Sequence, residues 1–321
     1  MGRYIVRRLL WTVLVVVLVT LLTFVIFFVM PKGDPAIRFA GKSPTPELIQ
    51  EVKESLGLDK SVPEQYGLFL KRLVTGDEYG WPGLGKSFQN KQPVKPELVQ
   101  RAQVTITLII GGALLWLAIG IPVGVISALR RGSALDRISM GTALFFVSAP
   151  VFWLGLLSLY VFWKKLGWLP GTGYVSFSAD PGAWFSHMIL PWMVLALLFA
   201  AIYARVVRGN MIDVMTEDYI RTARAKGLSE RRVVMKHELR TGITPVITLL
   251  AIDLGVLVGG TIVTETVFNL QGLGNWLLVA AQNNDLPVTL AVTVLVATAV
   301  SVLSLVADIL YAVLDPRVRY Q

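Results

Sequence analysis

The sequence predicts an all-α polytopic membrane protein with six spanning helices. The first observation behind this is a charge deficit. Only 16% of the 321 residues are charged and 54% are apolar, where a globular chain carries roughly 25% charged residues. The second is a set of six apolar segments at 9–30, 104–129, 138–163, 187–204, 243–264 and 287–313. Each is close to the roughly 20 residues a helix needs to cross hydrocarbon. The third is the placement of lysine and arginine, which cluster beside alternate ends of those segments.

The first segment follows Arg3, Arg7 and Arg8 and runs from Leu9 to Met30. A cleavable signal core has only about 7–15 apolar residues and ends in small side chains. This one ends Phe27-Phe28-Val29-Met30-Pro31, so it reads as a retained span. Residues 31–103 are polar and rich in proline, glycine and charge. They are expected to form a small extracytoplasmic subdomain with helices near 46–56 and 63–74. Pro44 and Pro46 open the first helix, and Gly57 stands where a C-terminal glycine belongs. The remainder, 104–321, reads as a five-helix core with a charged loop at 205–242. The domain organisation is therefore 1–30, 31–103 and 104–321.

Orientation follows from the basic residues of the short loops. With the N-terminus inside, the inner segments hold Arg3, Arg7 and Arg8, then Arg130, Arg131 and Arg137, nine basic residues in 205–240, and finally Arg317 and Arg319. The short outer loops 164–186 and 265–286 hold only Lys164 and Lys165. Long translocated segments escape the rule, so 31–103 is expected outside and both termini inside. The same pattern accounts for the net charge of +9 without invoking nucleic acid. No basic patch interleaved with aromatic residues is present.

Several chemistries fall away. The chain has no cysteine, which excludes disulfides, iron–sulfur clusters and thiol catalysis. Its two histidines, His187 and His237, are far apart, so no zinc site of the usual kind is expected, and no catalytic residue is assigned. Gly80-Trp81-Pro82-Gly83-Leu84-Gly85-Lys86-Ser87 matches the phosphate-binding pattern G-x-x-x-x-G-K-[ST]. That motif works between a buried strand and a helix N-terminus. Here polar Thr75–Tyr79 precede it and Gln89–Pro93 follow, so a glycine-rich turn is expected. Gly120 and Gly124 have the spacing of small-residue helix packing, favoured here inside one bundle over dimerisation.

Residues 205–245 are the most informative. Glu217 to Lys226 are strong helix formers with acids at the start and bases at the end, as the helix dipole favours. Gly227 is placed for a left-handed cap, and Ser229 to cap a second helix from Glu230 to Leu239. A helix–glycine turn–helix is thus expected to project from the membrane. Ala223 and Ala225 are small enough to admit a partner close to the backbone. Tyr219 and Leu228 would supply apolar anchors.

The run Tyr219-Ile-Arg-Thr-Ala-Arg-Ala-Lys-Gly-Leu-Ser-Glu-Arg-Arg-Val-Val, followed by Lys236-His237-Glu238-Leu239-Arg240, resembles the coupling loop of ABC-transporter inner-membrane permeases of the dipeptide/oligopeptide (peptide/nickel) branch. The general pattern is E-A-A, three residues, G, nine residues, I-x-L-P. Ala223, Gly227 and Leu239 keep it, and the rest follows the peptide-permease variant. Gly33-Asp34-Pro35, Leu56-Gly57-Leu58-Asp59, Gly76-Asp77, Gly259-Gly260, Glu265-Thr266-Val267-Phe268, Gly272-Leu273-Gly274 and Asp315-Pro316-Arg317 extend the likeness in order. Lys32 departs from it, and residues 78–83 look inserted.

The resemblance implies a type I ABC-importer permease fold in a bacterial or archaeal cell membrane. It implies that Arg221, Thr222, Ala223, Arg224, Ala225, Lys226, Gly227 and Leu228 dock on a cytoplasmic P-loop ATPase. ATP and magnesium would bind in that partner and no cofactor in this chain. The assembly would comprise a second homologous permease, two ATPase subunits and an extracytoplasmic solute-binding protein, with a di- or oligopeptide as cargo. Nickel, glutathione, opines or oligosaccharides are the alternative cargoes. An ion-coupled secondary transporter is a further alternative, though no inverted repeat supports it. An ATPase acting through residues 80–87 is another.

Ionisable residues within spans are functional candidates, because lipid penalises them. Asp253 lies midway along the fifth segment. It either lines the translocation route, meeting a substrate ammonium, or hydrogen-bonds a Ser or Thr of a neighbouring span. Glu265 and Asp308 match family positions and are expected to order the bundle or its loops. Ser148 and Pro150 mark an expected kink in the third segment and are taken with Asp253 as candidate translocation-pathway residues.

Overall fold

The computed structural model describes residues 2–30, 34, 36–37 and 45–314. The signals at Pro31–Gly33, Pro35 and Pro44, and those from Asp315 onward with Arg317 and Arg319, lie outside the described residues. Helix α1 runs Gly2–Phe24 and continues as a π turn over Val25–Val29. Then follow α2 Pro46–Leu56, α3 Val62–Thr75, α4 Val94–Leu129, α5 Ala134–Ser148, and α6 Val151–Ser158 with a π turn to Lys165. The second half holds α7 Pro181–Met215, α8 Asp218–Ala225, α9 Glu230–Arg232 with a π turn over Val233–Glu238, and α10 Leu239–Gly242. The chain continues as α11 Thr244–Gly260, α12 Ile262–Val267, α13 Leu273–Gln282 and α14 Leu286–Leu314.

Among the described residues, four helices are long and apolar enough to cross a membrane, and six segments qualify when each of two bent pairs counts as one. One pair is α5 with the helix through Lys165, turned by 100°; the other joins Glu230–Gly242 to α11 at 45°. The first turn is sharper than the kink expected at Pro150. Proline disfavours helical backbone at the residue before it. Ala149 is extended, at ψ 130°, and the helix stops and restarts.

The short polar helices follow their capping signals. The Thr45 hydroxyl accepts from the Leu48 amide at 3.3 Å, and Gly57 closes α2 in the left-handed region at φ +65°. Ser61 and Glu64 form a capping box at the start of α3.

Two compact units divide the chain. One comprises residues 1–105, 258–262 and 271–305. Its apolar clusters join Phe24, Val52, Phe88, Leu286 and Leu290, and separately Val94, Leu98, Trp276, Val288 and Val292. Asp285 is buried and accepts from the Ser87 hydroxyl and from the Phe88 amide at 3.1 Å. Glu51 is bridged to Lys86 and to Lys91. These hydrogen bonds, with Lys86 first, hold its carboxyl below the ordinary glutamate range.

The glycine-rich stretch at 80–87 is a turn. All three of its glycine amides at 80, 83 and 85 are already engaged: Gly80 donates to Asp77 O at 3.1 Å, Gly83 to Arg72 O at 3.2 Å and Gly85 to Asp77 Oδ2 at 2.7 Å. A Cβ at Gly83 would lie 2.4 Å from Arg72 O, so glycine serves close backbone packing there. The lysine is paired with Glu51, and no helix begins until Val94. None of the three features that would cradle a phosphate is in place.

The other unit comprises 106–257, 263–270 and 306–321. Within it α4 lies against α7 through glycines. A Cβ at Gly111 would fall 2.1 Å from the Trp192 ring, one at Gly120 2.9 Å from Ala200 O, and one at Gly124 2.7 Å from Ala204 O. Gly120 and Gly124 therefore serve packing inside this chain. Trp192 donates to Thr107 O at 3.0 Å, and buried Trp116 stacks on Phe199 with centroids 4.7 Å apart. Arg208 of α7 grips buried Asp136 through two bonds of 2.7 and 2.9 Å. Ser127 and the Gly132 amide also donate to that carboxylate. The end of α4 and the start of α5 are thereby tied to α7.

Candidate functional site

The polar excursion between α7 and α11 is built around its own small core. After Met215 the chain turns through Thr216, and Glu217 takes the N-cap position of α8. Ile220 and Ala223 on one face of α8 are buried with Val214 and Val233, and Leu228 packs partly buried against them. Spacing of three residues puts positions 220 and 223 on one helix face. Gly227 adopts φ +76° and sends its amide to Arg224 O at 2.9 Å, and Leu228 N reaches Ala223 O at 3.4 Å. This left-handed closure is the one its glycine predicts.

The burial pattern redistributes roles within the segment. Ala223 is small because it sits inside this core, not because a partner approaches it, and Leu228 also points inward. Arg221, Thr222, Ala225, Lys226 and Gly227 are exposed. Tyr219 is 43% exposed, and its hydroxyl lies 3.2 Å from Thr241 Oγ1. With Arg231, Arg232 and Lys236 also exposed, the bases outnumber exposed Glu217, Asp218 and Glu230 and the surface presented is net cationic.

Sequence reasoning missed an ion cluster that holds the two helices together. Arg224 donates from Nε and Nη2 to Glu230 at 3.1 and 2.6 Å, and from Nη2 to Glu238 Oε1 at 2.8 Å. Glu238 is fully buried, and its Oε2 makes no hydrogen bond. The only sequence signal was a glutamate on the inward face of the second helix, five residues after buried Val233. That helix is continuous in direction but includes a π turn over 233–238. Ser229 stands at its N-cap position, yet its hydroxyl makes no capping bond. At the far end the Gly242 carbonyl accepts from Asn210 Nδ2 at 3.3 Å, and a Cβ at Gly242 would lie 2.9 Å from Met211 Sδ. The excursion is thus fixed to α7 as well as to α11.

Asp253 lies on α11, half-buried, and accepts a hydrogen bond of 2.8 Å from the buried Tyr203 hydroxyl of α7. The partner is a tyrosine rather than the Ser or Thr considered from sequence. Exposed Ile252 and Val256 flank it on the same helix. Ser148 and Pro150 are exposed at the break between α5 and α6 and take no part in this hydrogen bond. Glu265 is buried in α12, where its carbonyl accepts from Leu270 N at 2.8 Å, and Asp308 lies in the last half of α14.

The sequence matches the family described as binding-protein-dependent transport system inner membrane component over residues 120–320, and that family's N-terminal part over 1–109. It is 38% identical over 321 residues to the glutathione transport system permease protein GsiC of Escherichia coli O6:H1, covering all of both chains. It is 36% identical to the dipeptide transport system permease protein DppB of Alkalihalophilus pseudofirmus, again over the full length of each. Among solved structures, a chain of the inward-facing methionine ABC transporter MetNI superposes with a TM-score of 0.56 at 21% identity. The match covers 70% of this chain and 99% of that one.

Proposed function

The chain belongs to the family of binding-protein-dependent transport system inner membrane components, and we propose that Arg221–Leu228 is the segment through which a cytoplasmic ATPase drives it. It is a multi-pass permease with the all-helical fold of an ABC importer subunit. The observation that carries the docking assignment is the build of this excursion. It is a short helix with its own core, clamped at both ends, presenting an exposed cationic face. A loop that merely set topology would need neither the core nor the clamp. Rigidity of this kind is what transmission of force requires.

The partner is an acidic-grooved P-loop ATPase, present in two copies, which binds the ATP and magnesium. This chain itself carries out no covalent chemistry and holds no resident cofactor. A second permease completes the pathway, and an extracytoplasmic binding protein delivers cargo to the outer side, where residues 31–103 lie. Both termini are cytoplasmic. Relatives named for dipeptide and for glutathione transport support a short peptide as cargo; nickel or an oligosaccharide is the alternative. Asp253 would meet the cargo's ammonium group, a reading supported by its half-buried place on α11, with Tyr203 orienting the carboxylate. Ser148 and Pro150 stand at the break that lets the third span flex. Glu265 and Asp308 keep structural roles.

Site-specific photo-crosslinking in native membranes tests the docking. A benzophenone side chain at Thr222 or Ala225 should capture a protein identified by its P-loop peptides. The same probe at exposed Val74, in the outer segment, should not. The absence of any nucleotide-hydrolysing adduct at both inner positions would overturn the assignment.

A further inference from the structure

The Arg224 cluster carries an inference that rests on the docking assignment and deepens it. Two features set Glu238 apart. It is fully buried, and only one of its carboxylate oxygens has a partner. The single group that meets it is the Arg224 guanidinium, which reaches across from α8. The same guanidinium holds Glu230 at the start of the second helix. The core it enters is otherwise apolar among the described residues, formed by Val214, Ile220, Ala223, Val233 and Leu228, and the other polar link between the two helices, Tyr219 to Thr241, lies at the surface.

We infer that Glu238 is a positioning residue that converts the docked helix and the helix before α11 into one rigid lever. Apolar side chains alone allow one helix to slide or roll on another, because aliphatic contacts are non-directional. A charged pair inside that core has a fixed direction, since guanidinium geometry selects particular donor angles. Glu238 lies four residues before Gly242, which is seated on Met211 of α7, and six before the first residue of α11. A push on α8 therefore reaches two spans, α7 through Thr216 and the Gly242 seat, and α11 through Glu238. Without the ionic tie the second route would be cushioned by the small apolar core.

A substitution exists that separates this role from fold stability. Removing one partner of a buried ion pair is costly when it strands the other charge in the interior, but Arg224 is 36% exposed and would keep its bonds to Glu230. Glu238→Leu should therefore fold at least as well as the natural chain while losing the tie. Glu238→Gln keeps an acceptor within reach of Arg224 and serves as the conservative variant. The experiment uses the full complex with its ATPase partners in proteoliposomes. The chain has no cysteine, so Val256→Cys, at an exposed site on α11, can report span movement. The readout is the change in maleimide labelling rate on vanadate trapping, divided by the ATP hydrolysis rate of the same preparation.

Glu238→Leu is expected to lower that ratio about tenfold with an unchanged or higher thermal midpoint, and Glu238→Gln to retain at least half of it. A wild-type ratio in Glu238→Leu overturns the lever. So does a ratio that falls only in step with the thermal midpoint, because the residue would then be merely structural. A natural chain whose labelling does not respond to vanadate would instead sink the docking assignment itself.

Discussion

Gly227 offers the sharpest test of how the turn in the inner loop is held. Its φ of +76° lies in the left-handed region, yet no heavy atom lies within 4 Å of where a Cβ would stand. Any penalty on substitution is therefore backbone strain and not steric overlap. For an ordinary L-residue that strain is about 1–2 kcal/mol, whereas asparagine visits this region readily. Gly227→Ala should thus raise the population in which the turn is open by about 5- to 30-fold, at tenfold per 1.4 kcal/mol. Gly227→Asn should raise it far less. A β-branched valine, stiff at χ1, should be worse than alanine. The observable is hydrogen exchange over 218–232 in the purified protein, since the amides of Gly227 and Leu228 close the turn. Equal protection in the Ala and Asn variants would refute strain as the cause.

Other outcomes follow from the same geometry. Ala223→Leu overfills the core formed with Ile220, Val214 and Val233 and should cost about 1–3 kcal/mol of stability. Ala225→Leu, at an exposed position, should stay within about 0.5 kcal/mol while weakening ATPase capture at least tenfold. Thermal unfolding and a binding titration separate the two. Asp285→Ala leaves the Ser87 hydroxyl and Phe88 amide without their acceptor. Two charge-assisted bonds of about 1.5–3 kcal/mol each should be lost, seen as faster proteolysis at 86–92, and Asp285→Asn should recover part of the protection. The Glu51 carboxyl is lowered by Lys86 and Lys91, so its stabilisation is complete above the ordinary glutamate value of about 4.3. It is lost as pH falls through the lowered value. Both pairs are partly exposed, so the effect should stay under about 1 kcal/mol per pair. The thermal midpoint should drop more between pH 6 and 3 in the natural chain than in Glu51→Gln.

The spans and the two outer helices were legible because each rests on local signals. Apolar run length marks a span, and Pro46, Gly57 and the Ser61/Glu64 pair mark helix ends within a few residues. The turn at Gly227 was legible for the same reason. What was hidden depends on pairs distant in sequence. Nothing near Ser87 announces Asp285, 198 residues on. Nothing near Asp136 announces Arg208, 72 residues away. The inward orientation of Ala223 was misjudged because a small residue reads the same whether it faces a partner or a core. Only the positions of Val214 and Val233 decide between them. The break at Pro150 was visible as a proline, but its 100° angle depends on what packs on either side.

Three of the four carboxylate residues buried among the described residues show how an apolar helix bundle acquires a unique register. One aliphatic face resembles the next, so helices that meet only through leucine and valine can shift with little penalty. Moving a carboxylate out of water costs several kcal/mol unless its donors are in place, so a shift that separates the two is strongly disfavoured. Asp136 receives bonds from Arg208 twice, Ser127 and Gly132, and Asp285 has a donor on each oxygen. Glu238 has one oxygen bonded and one bare. The two well-satisfied carboxylates fix places where the chain gains nothing by moving. The underfilled one lies in the excursion assigned to a nucleotide-driven partner. Its one bond runs to Arg224, which also holds Glu230, so the tie joins the two helices of that excursion. Register is therefore fixed by a buried charge both where force is expected to enter and in the bundle it acts upon.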